Sequence, residues 1–171
     1  PRPRRKRRPP QEIAEKIERA LVKRIESAQD REELVSDLSG VLQREVREKL
    51  RQSGEEKLKL AGALQRVDSA ISAAGFSLVV LDEDGRAVMA TSSARRALGK
   101  VLEEELEGEL REFLAGTGAL SEPARAAFLE RLAGERREKF ARILAALDHP
   151  ILDESGKVMG LLLRSPEPAE S

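Results

Sequence analysis

The chain has 171 residues, of which 40% are hydrophobic and 36% are charged, and its net charge is zero. This length suits one ordinary domain with an extension, or two very small domains. The absence of Cys excludes disulfides, thiolate nucleophiles and thiolate-ligated metal clusters. Aromatic residues make up only 2% of the chain, which predicts a small aliphatic core and no aromatic-walled ligand pocket.

The apolar runs are short compared with the roughly 20 residues that cross a bilayer. The basic start of the chain is not followed by the apolar region of a signal peptide. We therefore expect a cytoplasmic protein with no transmembrane segment.

Residues 1–10 read PRPRRKRRPP, which predicts an extended, disordered basic tail. Such a tail is either simply solvated or an arm that contacts nucleic acid, an anionic membrane surface or an acidic partner. It has no interleaved aromatic residues to stack on bases. The candidate polyanion contacts are its six cations, Arg2, Arg4, Arg5, Lys6, Arg7 and Arg8.

Residues 11–74 contain three amphipathic helical patterns. In 11–29 an apolar residue recurs every fourth position. Asp30 and Glu33 resemble a capping box that opens a second helix, and Ser53-Gly54 is a suitable stop for it. A third helix is predicted from about residue 55 to Gly75.

The third helix carries apolar residues at four-three-four spacing, the step of a coiled-coil seam. No helix of this kind is stable without a partner for its apolar stripe, in the same chain or in a second copy. For the first two helices both arrangements stay open. For the third we predict a homodimer, the alternative being a monomer whose seam packs on the first two helices. The predicted dimer interface consists of Leu60, Leu64, Val67 and Ile71.

Two β-hairpins are predicted in the second half of the chain. The first joins 76–81 to 86–91 through an acidic turn that ends in Gly85, and the second joins 150–152 to 158–164 through a turn that ends in Gly156. Between them, 94–133 is helical in pattern, and Gly134 is expected to end a helix. Residues 140–147 fit a helix by propensity or a strand by context. Residues 165–171 are expected to be disordered.

Two segments resemble the PAS family of sensory domains. AGFSLVVLDEDGRAVMATSSARRALG, at 74–99, is similar to the family's opening helix, hairpin and small helix ending in Leu-Gly. HPILDESGKVMG, at 149–160, is similar to its closing hairpin. The resemblance spans about 60–164. It implies an α+β domain over 75–164, an antiparallel sheet with covering helices, preceded by a helical dimerisation or signalling segment over 11–74.

The chain also departs from the family pattern. Thr91 stands where most members carry Asn, and the family's third strand has no clear candidate. Light-sensing members need a Cys, and haem-binding members need a His on a central helix, whereas His149 is the only His and lies on a predicted strand. We therefore expect no cofactor and no metal. The related Roadblock, Cache and GAF folds share the helix–hairpin opening, so the resemblance is to this wider group.

Few residues are candidates for catalysis, which needs convergent groups with tuned pKa values. His149 is interpreted as a structural or surface residue. Asp82-Glu83-Asp84-Gly85 lacks the later oxygens and the closing Glu of a calcium loop and is interpreted as a turn. The acidic run at 103–109 is interpreted as a solvated helix face. The sequence thus predicts a protein that is not an enzyme.

Three functions fit these patterns. The first is a signal-transduction and protein-interaction module, whose PAS-like regulatory domain and dimerising helices act on a partner protein that supplies the output. The alternative is an adaptor that binds nucleic acid or a membrane surface through its basic tail. The third is a structural coiled-coil protein with a passive C-terminal domain.

Overall fold

A computed structural model describes residues 10–51, 54–116 and 121–164 of the chain. The segments expected to be disordered, 1–10 and 165–171, lie outside the described residues except for Pro10, which begins the first helix. Within the described residues the protein is α+β, as predicted, with one antiparallel sheet between two layers of helices.

The helices that precede the sheet form one layer, here called the helical layer (residues 10–73). Asp30 caps the second of them, since its Oδ1 accepts a hydrogen bond from the Glu33 amide at 2.8 Å. The N-cap half of the expected capping box is thus confirmed, whereas the Glu33 side chain accepts from the Gln29 amide and not from the Asp30 amide. The elements are α1 (Pro10–Ser27), α2 (Arg31–Val41), a π-helical turn (Leu42–Val46), α3 (Arg47–Arg51), α4 (Glu55–Arg66) and α5 (Asp68–Ala73).

The π-helical turn interrupts what the sequence pattern predicted as one regular helix. The Arg47 amide donates to the Leu42 carbonyl, five residues back, instead of to the residue four back. One inserted residue rotates the following side chains by about 100° around the helix axis. Arg47 then turns toward the interior, and it is buried together with Leu50 of α3.

The two predicted hairpins belong to one four-stranded sheet. Its strand order is β2-β1-β4-β3 and all neighbours are antiparallel. The hairpins join through β1 and β4, with Val79 opposite Leu161. The strands are β1 (Phe76–Leu81), β2 (Ala87–Ala90), β3 (Leu147–Leu152) and β4 (Val158–Arg164).

The segment between the hairpins is helical and covers the second face of the sheet. Residues 140–146 are helical, and β3 begins at once at Leu147. The expectation that Gly134 ends a helix is wrong: α8 ends at Glu130, where the Arg131 amide bonds back to its last turn, and Gly134 begins α9. The elements are α6 (Ser92–Leu98), a 3-10 turn (Gly99–Glu103), α7 (Gly108–Ala115), α8 (Glu122–Glu130) and α9 (Gly134–Ala146).

The sheet separates two hydrophobic clusters. On one face Leu78 and Val80 pack with the helical layer, and on the other Val79 and Leu81 pack with α6–α9. This follows from the alternation of side chains along β1. The predicted boundary at residue 74 therefore does not separate two cores, because the helical layer completes the core beneath the sheet.

The predicted coiled-coil seam lies inside this core. Leu60, Leu64, Val67 and Ile71 are each at most 2% exposed within the single chain. They share a cluster with Ile17 and Leu21 of α1 and with the lower face of the sheet. The prediction that they form an exposed dimer seam is thus corrected, since α1 and the sheet already cover them. A homodimer stays a prediction, but it needs another surface.

Candidate functional site at the hairpin turns

The two hairpins end in turns of matching sequence and geometry. Leu-Asp-Glu-x-Gly followed by a cation occurs at 81–86 and again at 152–157. Asp82 Oδ1 accepts from the amides of residues 84 and 86, and Asp153 Oδ1 accepts from those of residues 155 and 157, all within 3.0 Å. Gly85 and Gly156 have φ of +85° and +86°. In both turns, therefore, the aspartate carboxylate closes the turn by accepting hydrogen bonds from backbone amides two and four residues further on.

Each of these aspartates presents its other oxygen to a cation of the helical layer. Arg47 Nε lies 3.2 Å from Asp153 Oδ2, and Lys57 Nζ lies 3.4 Å from Asp82 Oδ2. Arg47 Nη1 also donates to the Leu81 carbonyl at 3.1 Å. One guanidinium thus contacts both hairpins at the same end of the sheet.

The two ion pairs differ in burial. The Arg47 and Asp153 side chains are each 4% exposed, whereas the Lys57 side chain is 36% exposed. Water screens the second pair and is nearly absent from the first, where the loss of one partner leaves an uncompensated charge. The Arg47–Asp153 pair is therefore the stronger determinant of how the helical layer sits on the turns.

The pKa of Asp153 is lowered. Burial acts to raise it, but this effect is outweighed by hydrogen bonds from the Ser155 hydroxyl and the Lys157 and Ser155 amides, together with the Arg47 charge. These interactions all favour the ionised carboxylate. Asp153 is accordingly a fixed negative charge beneath the second turn.

The π-helical turn positions the polar residues that reach the hairpins. Gln43, within it, donates a side-chain hydrogen bond to the Leu152 carbonyl, and Arg47 follows it directly. Insertions of this kind are frequent at functional sites. Sequence reasoning missed Arg47. The available signal was the repeated aspartate turn, in which each carboxylate retains one oxygen for a cation.

A cleft of about 390 Å³ opens beside the second turn, between that turn and α7. Arg47, Arg111 and Lys157 line it, together with Glu83 and Glu112. Arg111 is held by two backbone carbonyls, with Nε 3.0 Å from the Leu106 oxygen and Nη1 3.2 Å from the Glu83 oxygen. The site thus combines fixed cations with a concave surface.

A second set of polar contacts joins the helical layer to α6. Asp68 Oδ2 accepts from the Ser92 amide at 3.0 Å and from its hydroxyl at 2.7 Å. Burial acts to raise the pKa of Asp68, but the Ser92 and Ser72 hydrogen bonds lower it overall. Thr91 caps α6 and accepts from the Leu78 amide at 3.1 Å. Its hydroxyl therefore links α6 to β1.

The other residues considered for chemistry are not brought together. His149 is half-buried on β3, beside an open groove along α2. Among the described residues, no group of three His, Cys, Asp or Glu side chains is placed to hold a metal ion. The acidic run at 103–109 is exposed, but it is not merely solvated. Glu104 pairs with Lys139, and Glu107 and Glu109 pair with Arg136 of α9.

The predicted polyanion contacts lie outside the described residues, so the tail-based adaptor stays a prediction. No helix in the described part of the chain is long and apolar enough to cross a membrane.

Comparisons of the chain with protein-family models, with curated proteins and with solved structures found no match.

Proposed function

We propose that the chain is a non-catalytic signal-transduction and protein-interaction module with a PAS-like regulatory domain. In this proposal the helical layer passes the state of the sheet domain to a partner protein. The observation that supports it best is the position of Arg47, a residue of the helical layer that bonds to both hairpins of the domain.

The PAS-like assignment is supported by the order of elements. A helix leads into the first hairpin, helices follow, and the second hairpin returns to pair with β1. This is the order that the sequence resemblance implies.

The polar contacts at the turns, which lie beside the apolar cluster that packs the helical layer on the sheet, support a role in signalling. A buried ion pair adds little stability beyond that of well-packed apolar residues, but breaking it by removing one partner is costly. The contact between helical layer and turns therefore depends sharply on the position of one guanidinium. A ligand or partner that binds better to one position of this guanidinium shifts the conformational equilibrium of the helical layer and of the sheet domain together.

The proposal is tested by hydrogen–deuterium exchange on Asp153→Asn, with Asp82→Asn as the matched control. Asn keeps an oxygen for the turn amides but removes the charge that holds Arg47. We expect faster exchange in α2, the π-helical turn and α3 for Asp153→Asn, little change there for the control, and unchanged α8 and α9 in both.

Faster exchange confined to 147–164 would show that the turn does not communicate with the helical layer. That result would contradict the proposed transmission while leaving the fold intact.

A further inference from the structure

The cleft beside the second turn, here called the turn cleft, contains two guanidinium groups with spare donors. Arg47 uses Nε for Asp153 and Nη1 for the Leu81 carbonyl, and no acceptor for its Nη2 is found among the described residues. None of the described side-chain nitrogens is both fully buried and without a hydrogen bond. Arg47 Nη2 is therefore not fully buried, although the side chain as a whole is only 4% exposed, and Arg47 lines the cleft.

Arg111, which also lines the turn cleft, is held in a similar way. Its Nε and Nη1 are bound by carbonyls, and its Nη2 also has no acceptor in the described part of the chain. The side chain is held against Gly85, where an added Cβ would lie 3.0 Å from Nε. Both guanidiniums are thus fixed before any ligand arrives, which lowers the entropic cost of binding.

The charge balance of the turn cleft favours a single negative charge. Arg47 is paired with Asp153, and Glu83 is paired with Arg51. The remaining lining charges are Arg111 and Lys157 against Glu112, two positive against one negative. No ion pair of these three is found among the described residues. Ala115 and Val158 supply apolar lining, and the volume suits a small molecule.

We infer that the turn cleft binds a small organic carboxylate. Its oxygens accept from Nη2 of Arg47 and of Arg111, Lys157 supplies the third positive charge, and the apolar part lies toward Ala115 and Val158. Because Arg47 belongs to the helical layer and the other two cations belong to the sheet domain, such a ligand bridges the two. The effect on the helical layer rests on the proposed function, whereas the binding itself does not.

The test is an NMR titration of the ¹⁵N-labelled full chain with sodium propionate at constant ionic strength. Constant ionic strength is needed because salt screens exposed charges. We expect saturable shifts of the Gly156 and Lys157 amides and of the Arg111 Nε–H, with a dissociation constant in the millimolar range. Arg111→Gln removes a charge-assisted hydrogen bond and should weaken binding about tenfold or more.

Lys157→Gln is the second variant, since its exposed side chain is in no described hydrogen bond and its loss should leave the fold unchanged. It should weaken binding severalfold. Arg96→Gln, an exposed cation on α6, is the control and should bind as the wild type does. Shifts that do not saturate by 50 mM (about ten times the expected constant, for a millimolar site), or shifts equal in all variants, would overturn the site.

Inorganic phosphate, titrated in the same way, separates carboxylate from phosphate recognition. Tighter binding of phosphate than of propionate would overturn the carboxylate assignment. Failure of this titration is distinguishable from failure of the proposed function, because the exchange experiment on Asp153→Asn uses no ligand.

Discussion

Arg47 and Asp153 are 106 positions apart in the chain, yet their side chains form an ion pair at 3.2 Å and are each only 4% exposed. The π-helical turn directs the arginine inward, and the aspartate-closed turn leaves one carboxylate oxygen to receive it. The orientation of each partner is thus supported by its own local backbone structure. The contact joins the first third of the chain to its last hairpin.

Loss of Arg47 should cost much more than loss of the equivalent lysine. Arg47→Met leaves Asp153 buried without its cation, and we expect the free energy of unfolding to fall by about 3–5 kcal/mol. Lys57→Met removes a half-exposed partner of Asp82 and should cost about 1 kcal/mol or less. Urea denaturation of both variants measures the difference. Equal costs would show that burial does not distinguish the two pairs.

Stability should decline in acid. Asp153 and Asp68 both have lowered pKa values in the folded chain. A lowered native pKa contributes stability above the unfolded value of about 3.9, and this contribution is lost as the pH falls through the native pKa. We expect unfolding free energies to drop from about pH 5 to pH 2, less steeply in Asp68→Asn. Parallel pH profiles for wild type and variant would contradict this assignment.

Charges placed in the predicted seam should unfold the chain rather than dissociate a dimer. Leu64 and Val67 are 1% and 0% exposed, so their joint replacement by Glu buries two carboxylates and should cost more than about 4 kcal/mol. Leu58→Glu, on the same helix but 75% exposed, is the control and should be near neutral. Circular dichroism and sedimentation distinguish unfolding from dissociation. A folded, monomeric double variant of a dimeric wild type would restore the seam as an interface.

The two turn glycines should differ in their tolerance of Ala. Both have positive φ, which costs an L-residue about 1–2 kcal/mol. Space around Gly156 is open, whereas a Cβ at Gly85 meets Arg111. Gly85→Ala should therefore be the more destabilising, and Arg111→Ala should remove the excess. The same difference in both backgrounds would show that Arg111 is not the cause.

Local patterns were sufficient to predict the hairpins and most helices. The Asp30 cap and the two acidic-Gly turns are set by neighbouring residues, and the structure follows them. For the predicted coiled-coil seam, local patterns did not determine which partner covers it. Four-three-four spacing shows that Leu64 must be buried, but the same spacing fits burial against α1 or against a second chain.

The helix pattern could not predict the burial of Arg47, for a related reason. An arginine beside an apolar stripe normally faces solvent, and only the extra residue of the π-helical turn directs it inward. Its partners, Asp153 and the Leu81 carbonyl, are distant in sequence. The turn cleft could not be predicted from local patterns either, because its cations come from α3, α7 and the second turn.

A double-mutant cycle on Arg47→Met and Asp153→Asn tests most directly the claim that this pair couples the helical layer to the hairpins. The reference cycle uses Lys57→Met and Asp82→Asn, the corresponding cation–aspartate pair at the first turn, whose lysine is more exposed. We predict a coupling energy of about 2 kcal/mol or more for the first pair and below about 1 kcal/mol for the second. A coupling for Arg47 and Asp153 no larger than that of Lys57 and Asp82 would contradict the account.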